Sequence, residues 1–431
     1  MALAAVKPVN LEEERVRFMQ DEAYQPKFEY KDAAAARAAC ERQLPSHEYL
    51  GLAINVLEHV RERFGSESRY HEAVWGDELT QPQADDVVRE YLQRNGLSQL
   101  VRVRWSASHL LTSFGSGCLN LVDRPGYYRT KRLLGLLDHE LGTHFTRAHN
   151  FKFSLCGPGT VPKTSSFLST ATEEGLASLN THQFLCDKAL FQPALLYWSC
   201  WRASQVGFAE LNQEMKRYVD LPARRWLECV RVKRGRTDTS APGAFAKEQS
   251  TWDGLVRLLY HRRSQSLNWL TLHCAKVSLE QYEATAAAME VENTALIIPH
   301  FLRPLNAYEQ RLEQIAFDNG LEAWLAPANT PLSLRPPPPP PSPTPVLPIP
   351  AGGSSSSSSW VRAHVEEGGA EGGGGGREWR GGSEAGRGGE RGRGRGEVVI
   401  CKGARRGVKA GGGRWGWEGG RREGVMGDDV S

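Results

Sequence analysis

His139, Glu140 and His144 have the residue types and the spacing to hold and use a metal ion. They stand in the run Leu136-Leu137-Asp138-His139-Glu140-Leu141-Gly142-Thr143-His144. In the common helical pattern H-E-x-x-H, two imidazoles four residues apart bind zinc and the glutamate between them acts as the base. Here the step is five. A residue of α-helix turns ~100°, so a four-residue step leaves two side chains ~40° apart and a five-residue step ~140° apart. A regular helix would therefore aim His139 and His144 at different neighbours. A one-residue π-bulge absorbs the extra residue, and such bulges collect at functional sites. Gly142 inside the interval makes the distortion cheap. The same residues are also compatible with ordinary surface or packing positions on an amphipathic helix. A third ligand must come from elsewhere, because a catalytic zinc leaves its fourth position to water.

Downstream stands Thr172-Glu173-Glu174-Gly175-Leu176-Ala177. H-E-x-x-x-H followed at this distance by E-G-L-A resembles the microtubule-associated tyrosine carboxypeptidases, a family first known as a domain of unknown function. The resemblance runs from about Glu12 to about Leu321. It implies a zincin-like metallopeptidase with one Zn2+ per chain, held by His139, His144 and Glu174, and Glu140 as general base on zinc-bound water. It further implies removal of the C-terminal tyrosine of α-tubulin, with that acidic tail and microtubules as partners, in the cytoplasm and on the cytoskeleton. Two other readings stand beside it: a zinc peptidase of other specificity, and a non-catalytic protein that binds microtubules or RNA.

A carboxypeptidase needs a cation for the terminal carboxylate, and arginine supplies a bidentate one. The densest basic run is Arg224, Arg225, Arg231, Lys233, Arg234 and Arg236. Arg231 and Arg234, a helical turn apart, are the candidates. A basic surface there would also draw in an acidic tail. Tyr127, Tyr128, Phe153 and Phe167 are candidates for an aromatic pocket. His149 would need a second bulge to join the other histidines. Glu173 lies ~100° from Glu174 on a helix, which suits a supporting or surface role. His182 reads as a packing residue.

The elements that position these groups follow from periodicity and stop signals. Helices are expected near Leu11–Phe18, Lys31–Arg42, Pro45–Phe64 and Thr80–Arg94. Strands follow at Leu100–Trp105, Leu110–Phe114 and Cys118–Val122. The motif helix runs from Thr130 to His149, and Phe167–Phe184 carries Glu174. Seven more helices follow, at Pro193–Gly207, Phe208–Val219, Leu221–Arg234, Thr251–Arg262, Leu267–Cys274, Leu279–Glu290 and Ala307–Phe317. The fold class is α+β, mainly helical, with a small sheet before the metal-binding helix. Leu119–Val122 is the candidate for pairing with an extended substrate. Residues 150–166, with Lys152 and Lys163, form a loop close to the site. The expected organisation is a helical lead-in over 1–45, a metallopeptidase domain over 46–326 and a disordered tail over 327–431.

The chain has 431 residues, with 53 Lys and Arg against 50 Asp and Glu. From Pro331 onward there are 15 basic and 11 acidic residues, so the surplus belongs to the tail and says little about what the folded part binds. That tail contains a proline run, a serine run and long Gly/Arg stretches, too little apolar surface to offset chain entropy. It is compatible with loose RNA binding, though an alternative C-terminus fits its composition better, and nucleic acid is not an expected partner. Eight cysteines are scattered without a C-x-x-C pair, which fits free thiols in a reducing compartment. No stretch approaches the ~20 apolar residues of a membrane span.

Overall fold

Two apolar clusters organise the molecule, and the motif helix runs along their boundary. The computed structural model describes residues 3–107, 112–153, 166–264, 267–274, 276–282 and 296–321. Of the loop expected over 150–166, residues 150–153 with Lys152 instead continue the motif helix, and residues 154–165, with Lys163 and Cys156, lie outside the described residues. So do the side chains of Phe153 and Phe167, the helix expected over Leu279–Glu290 beyond its first turn, and the tail.

The N-terminal half carries α1 (Leu11–Gln20), α2 (Ala33–Glu41), α3 (Leu50–Phe64), α4 (Glu67–Val74) and α5 (Gln81–Arg94). α3 starts a turn later than its sequence predicts. The backbone of Ser46 is held on both sides by the Gln249 amide, at 2.7 and 2.8 Å, so tertiary contacts keep this stretch out of the helix. Gly65, at φ +83°, ends α3. Ser66 then caps α4, accepting from the Arg69 amide; the sequence reading had no helix here.

Strands β1 (Arg102–Ser106), β2 (Ser113–Gly115) and β3 (Cys118–Val122) form one sheet in the order β1-β3-β2. β1 lies parallel to β3 with Val103 opposite Leu119, and β2 lies antiparallel with Phe114 opposite Leu119. β3 is therefore the central strand. Both its edges are paired, so it cannot add a substrate strand, contrary to the expectation for Leu119–Val122.

The motif helix follows as α6 (Thr130–His139), a π turn (Glu140–Phe145) and α7 (Thr146–Phe153). Then come α8 (Ser166–His182), α9 (Phe191–Ala203), α10 (Phe208–Met215), α11 (Pro222–Lys233), α12 (Ser250–Ser264), α13 (Trp269–Cys274) and α14 (Leu305–Asp318). The described residues are thus mainly helical with one small sheet. None of their helices is long and apolar enough to cross a membrane.

The smaller cluster joins α5, the sheet and α6 through Val88, Tyr91, Leu119, Leu121, Leu133 and Leu137. The larger one gathers the remaining helices around Trp226, Trp252 and Trp269, and takes in Phe18 and Phe28 from the lead-in segment. Leu176 and Leu179 of α8 belong to the larger cluster, and Leu141 of the π turn to the smaller. The two motifs therefore face each other across the seam between two rigid cores.

Candidate metal centre

The five-residue step is absorbed as the spacing requires. One π turn after His139 brings His144 beside it, with ring centroids 4.9 Å apart and planes at 71°. Two threonine hydroxyls mark the wide turn. Thr143 Oγ1 donates to the Asp138 carbonyl and Thr146 Oγ1 to that of Leu141, each at 2.9 Å and each reaching back five residues. In α8, by contrast, Thr172 and Thr181 bond carbonyls four residues back, as in an ordinary helix. Gly142 has a second reason to be glycine beyond easing the distortion. A Cβ there would lie 2.5 Å from Phe301 Cε1 and 3.0 Å from the Tyr91 hydroxyl.

Glu174 arrives from α8, which packs tightly on both α6 and α12. A Cβ at Gly135 would lie 2.5 Å from the Thr181 carbonyl, and one at Gly175 would run into the backbone of Gly254 and Leu255. Glycine at 135 and 175 thus sets how closely α8 approaches its neighbours. As a result, Glu174 Oε2 stands 3.9 Å from Nε2 of His139 and 3.9 Å from Nε2 of His144. The ligand-type atoms of the three residues all lie within 4.8 Å of one another, and each side chain is partly exposed.

Hydrogen bonds fix which imidazole nitrogens face this point. The Thr181 hydroxyl donates its proton to the Ala177 carbonyl at 2.8 Å. It can therefore only accept from His139 Nδ1, 3.1 Å away, so Nδ1 carries the proton and Nε2 keeps its lone pair. His144 Nδ1 lies 3.0 Å from Glu173 Oε1, and an ionised carboxylate only accepts, so Nδ1 carries a proton here too and Nε2 is the nitrogen that faces the shared point. Burial would raise the Glu173 carboxyl, but the His144 hydrogen bond and the charges of Arg147, His144 and Lys276 hold it well below the usual range. Lys276 Nζ is 3.2 Å from the same oxygen. Glu173 thus orients a histidine, the supporting role its helical position suggests. His139 is pushed far toward neutrality, first by burial and then by the nearby His144 and His182.

Glu140 points from the π turn toward the sheet. Its Oε2 accepts from the Phe114 amide of β2 at 2.9 Å. Burial pushes its carboxyl up to about 7; His144 and the Phe114 amide pull against that, and Glu174 adds to it. A carboxyl poised near neutrality beside a possible metal position suits a proton carrier.

Two imidazole lone pairs and one carboxylate make the donor set of a catalytic zinc site. The 3.9 Å separations are too long for hydrogen bonds, and they leave room for a shared ion between the three atoms. The residues present therefore fit a divalent metal.

Other predicted residues fall elsewhere. The His149 ring packs 5.6 Å from that of Phe145, and His182 donates from Nδ1 to the Ser178 carbonyl at 2.7 Å. Tyr128 is buried, its hydroxyl engaged with Thr112 at 2.7 Å and with the Val122 amide at 2.9 Å, so it is a core residue. Tyr127 is partly exposed and lies under the Arg132 guanidinium, 4.4 Å away. Arg231 and Arg234 are not brought to the cluster. Both pair with Glu248, at 2.7 and 3.2 Å, on a helix packed mainly against α9 and α10. Four arginines of the basic run, Arg224, Arg225, Arg231 and Arg234, form structural ion pairs, and periodicity cannot distinguish such a network from a substrate-binding face. The threonine hydroxyls and Glu173 complete the site. Sequence reasoning gives Thr143 and Thr146 no role; the available signal is Thr143 inside the five-residue interval and Thr146 just after it.

The chain is similar to proteins of known name. The chain is 34% identical over 330 residues to the mouse Microtubule-associated tyrosine carboxypeptidase 1, covering 74% of this chain and 69% of that protein. It is 35% identical over 339 residues to the human protein of the same name, covering 74% and 68%. No family model matches the chain.

Proposed function

The chain belongs to the microtubule-associated tyrosine carboxypeptidase family, and from that premise we propose that it is a zinc-dependent, zincin-like carboxypeptidase that removes the C-terminal tyrosine of α-tubulin. The observation that carries the metal part of this reading is the meeting of His139, His144 and Glu174 on one point despite the five-residue spacing. These three residues would hold the ion. When bound, zinc supplies Lewis acidity, which polarises the scissile carbonyl and acidifies the attacking water.

The chain's own residues do the rest. Glu140 takes the proton of the water and passes it to the leaving amine, and its raised pKa suits both steps. Thr181 and Glu173 keep both Nε2 lone pairs turned inward. β2 is the strand edge beside Glu140, and an extended substrate laid along it would bring its last peptide bond to the site. The names of the relatives support the microtubule setting, and the tubulin substrate and cytoplasmic location rest on the family resemblance.

The test combines metal analysis with a cleavage assay. Purified protein should contain one zinc per chain and release free tyrosine from tyrosinated tubulin and from N-terminally blocked acidic peptides ending in tyrosine. Glu140→Gln should keep the zinc and lose ~10²–10⁴-fold in turnover. Cleavage inside the peptides would favour a zinc peptidase of other specificity. Equal turnover by wild type and Glu140→Gln would remove the catalytic scheme.

A further inference from the structure

Behind the metal pair lies a buried polar network that the proposed reaction does not use. Asn180 of α8 is fully buried, as are Thr143, His273 and Tyr308, each no more than 1% exposed. Tyr308 donates from its hydroxyl to Asn180 Oδ1 at 2.8 Å. Asn180 Nδ2 lies 2.9 Å from Thr143 Oγ1 and 3.2 Å from His273 Nε2. His273 Nδ1 must donate to the Trp269 carbonyl, 2.8 Å away, because a carbonyl only accepts. Burial holds this histidine neutral, with a pKa lowered to about 4, so its Nε2 is an acceptor. The amide of Asn180 therefore has one orientation. Its oxygen takes Tyr308, and its two protons go to His273 and Thr143.

This direction matters for the π turn. Because Thr143 accepts from Asn180, its own proton is free to go to the Asp138 carbonyl, five residues back. That bond spans the wide turn at the point where α6 ends, with His139 next to Asp138 and His144 next to Thr143. We infer that Asn180 is a positioning residue for the metal pair: it polarises Thr143 so that the hydroxyl holds the turn at its five-residue width and keeps the two imidazoles on one side. The amide is anchored from α13 and α14 as well as α8, so the turn is braced by helices that carry no ligand. The inference rests on the reading that His139 and His144 bind a metal.

The substitutions follow from the hydrogen-bond directions. Thr143→Val keeps the shape and removes the hydroxyl, whereas Thr143→Ser keeps it. Asn180→Asp keeps the volume but has at most one proton to give, which His273 Nε2 takes, so the oxygen facing Thr143 would pull the Thr143 proton away from the Asp138 carbonyl. The measurements are zinc affinity by chelator competition on full-length protein, and the visible spectrum of the cobalt-substituted form. Expected are ~10–100-fold weaker zinc binding and an altered cobalt spectrum for Thr143→Val and for Asn180→Asp, with Thr143→Ser within about threefold of wild type. Circular dichroism confirms that each variant is folded, and Asn180→Asp decides the matter if Thr143→Val does not fold. Zinc affinity and a cobalt spectrum unchanged in a folded Thr143→Val or Asn180→Asp would overturn the positioning role. Absence of metal from the wild type would instead remove the metal reading itself.

Discussion

Two of the clusters of ionisable side chains among the described residues differ in geometry in an instructive way. In the network around α11, four arginines each touch a carboxylate, and Lys233 donates to backbone carbonyls. Arg224 pairs with Glu228 and with Glu67, Arg225 with Glu22 at 3.0 Å, and Arg231 and Arg234 with Glu248. At the motif helices, two histidine nitrogens and a carboxylate oxygen face one another at 3.9 Å without a hydrogen bond. Direct pairing offsets the cost of burying charge within the protein itself. Groups held just beyond contact, with their outer nitrogens fixed by hydrogen bonds, leave the offset to something that comes between them. One cluster is complete as it stands. The other is built around a shared point.

The largest effect should come from breaking that shared point. His144→Ala or Glu174→Ala should leave the protein folded, with sub-stoichiometric zinc and tyrosine release at background. Metal analysis beside a thermal melt checks both parts. Stoichiometric zinc in either variant would return these residues to the class of ordinary surface groups. A smaller effect is expected one layer out. Glu173→Gln still accepts from His144 Nδ1 but loses the negative charge that strengthens the bond, so zinc should bind about tenfold more weakly. An unchanged affinity would mean that the His144 tautomer does not depend on this carboxylate.

The sequence revealed one of these clusters and misread the other, for a physical reason. A metal pair needs two donors at a spacing that one turn type can satisfy. The step from His139 to His144 therefore carried information about backbone geometry, and the π turn lies where it required. Glu174 was legible through its neighbours Gly175, Leu176 and Ala177, although the packing that makes Gly175 necessary, against Gly254 and Leu255, involves residues about eighty positions away. Arg231 lies in the last turn of α11, whereas Arg234, expected on the same helix, follows its end with extended backbone (ψ 149°). What decides their role is Glu248, which reaches them from another segment, and no helical period records that. The same limit applies to β3. Its alternation showed a strand, while its central place depends on β1 lying parallel to it and β2 antiparallel. Thr143 and Asn180 are 37 residues apart, so the bond between them was not visible either.

The smallest expected effect on turnover belongs to the second cluster, and it tests the comparison from the other side. Arg231→Met removes a guanidinium that bonds Glu248 through Nη2 at 2.7 Å and through Nε at 3.1 Å. Arg234 remains to neutralise Glu248, and the Arg231 side chain is 30% exposed, so the loss is partial. Stability should fall by about 1–2 kcal/mol, less than the loss expected for stranding a fully buried charge. Cleavage of tyrosinated tubulin should be unchanged, in KM as in kcat, because no substrate contact is lost. A thermal melt and a steady-state titration measure the two quantities independently. A KM raised tenfold with an unaltered melt would place Arg231 at the substrate carboxylate after all, and the α11 network would no longer be purely structural. A lowered melt with intact kinetics would support the division between a cluster that holds the fold together and one that meets an ion.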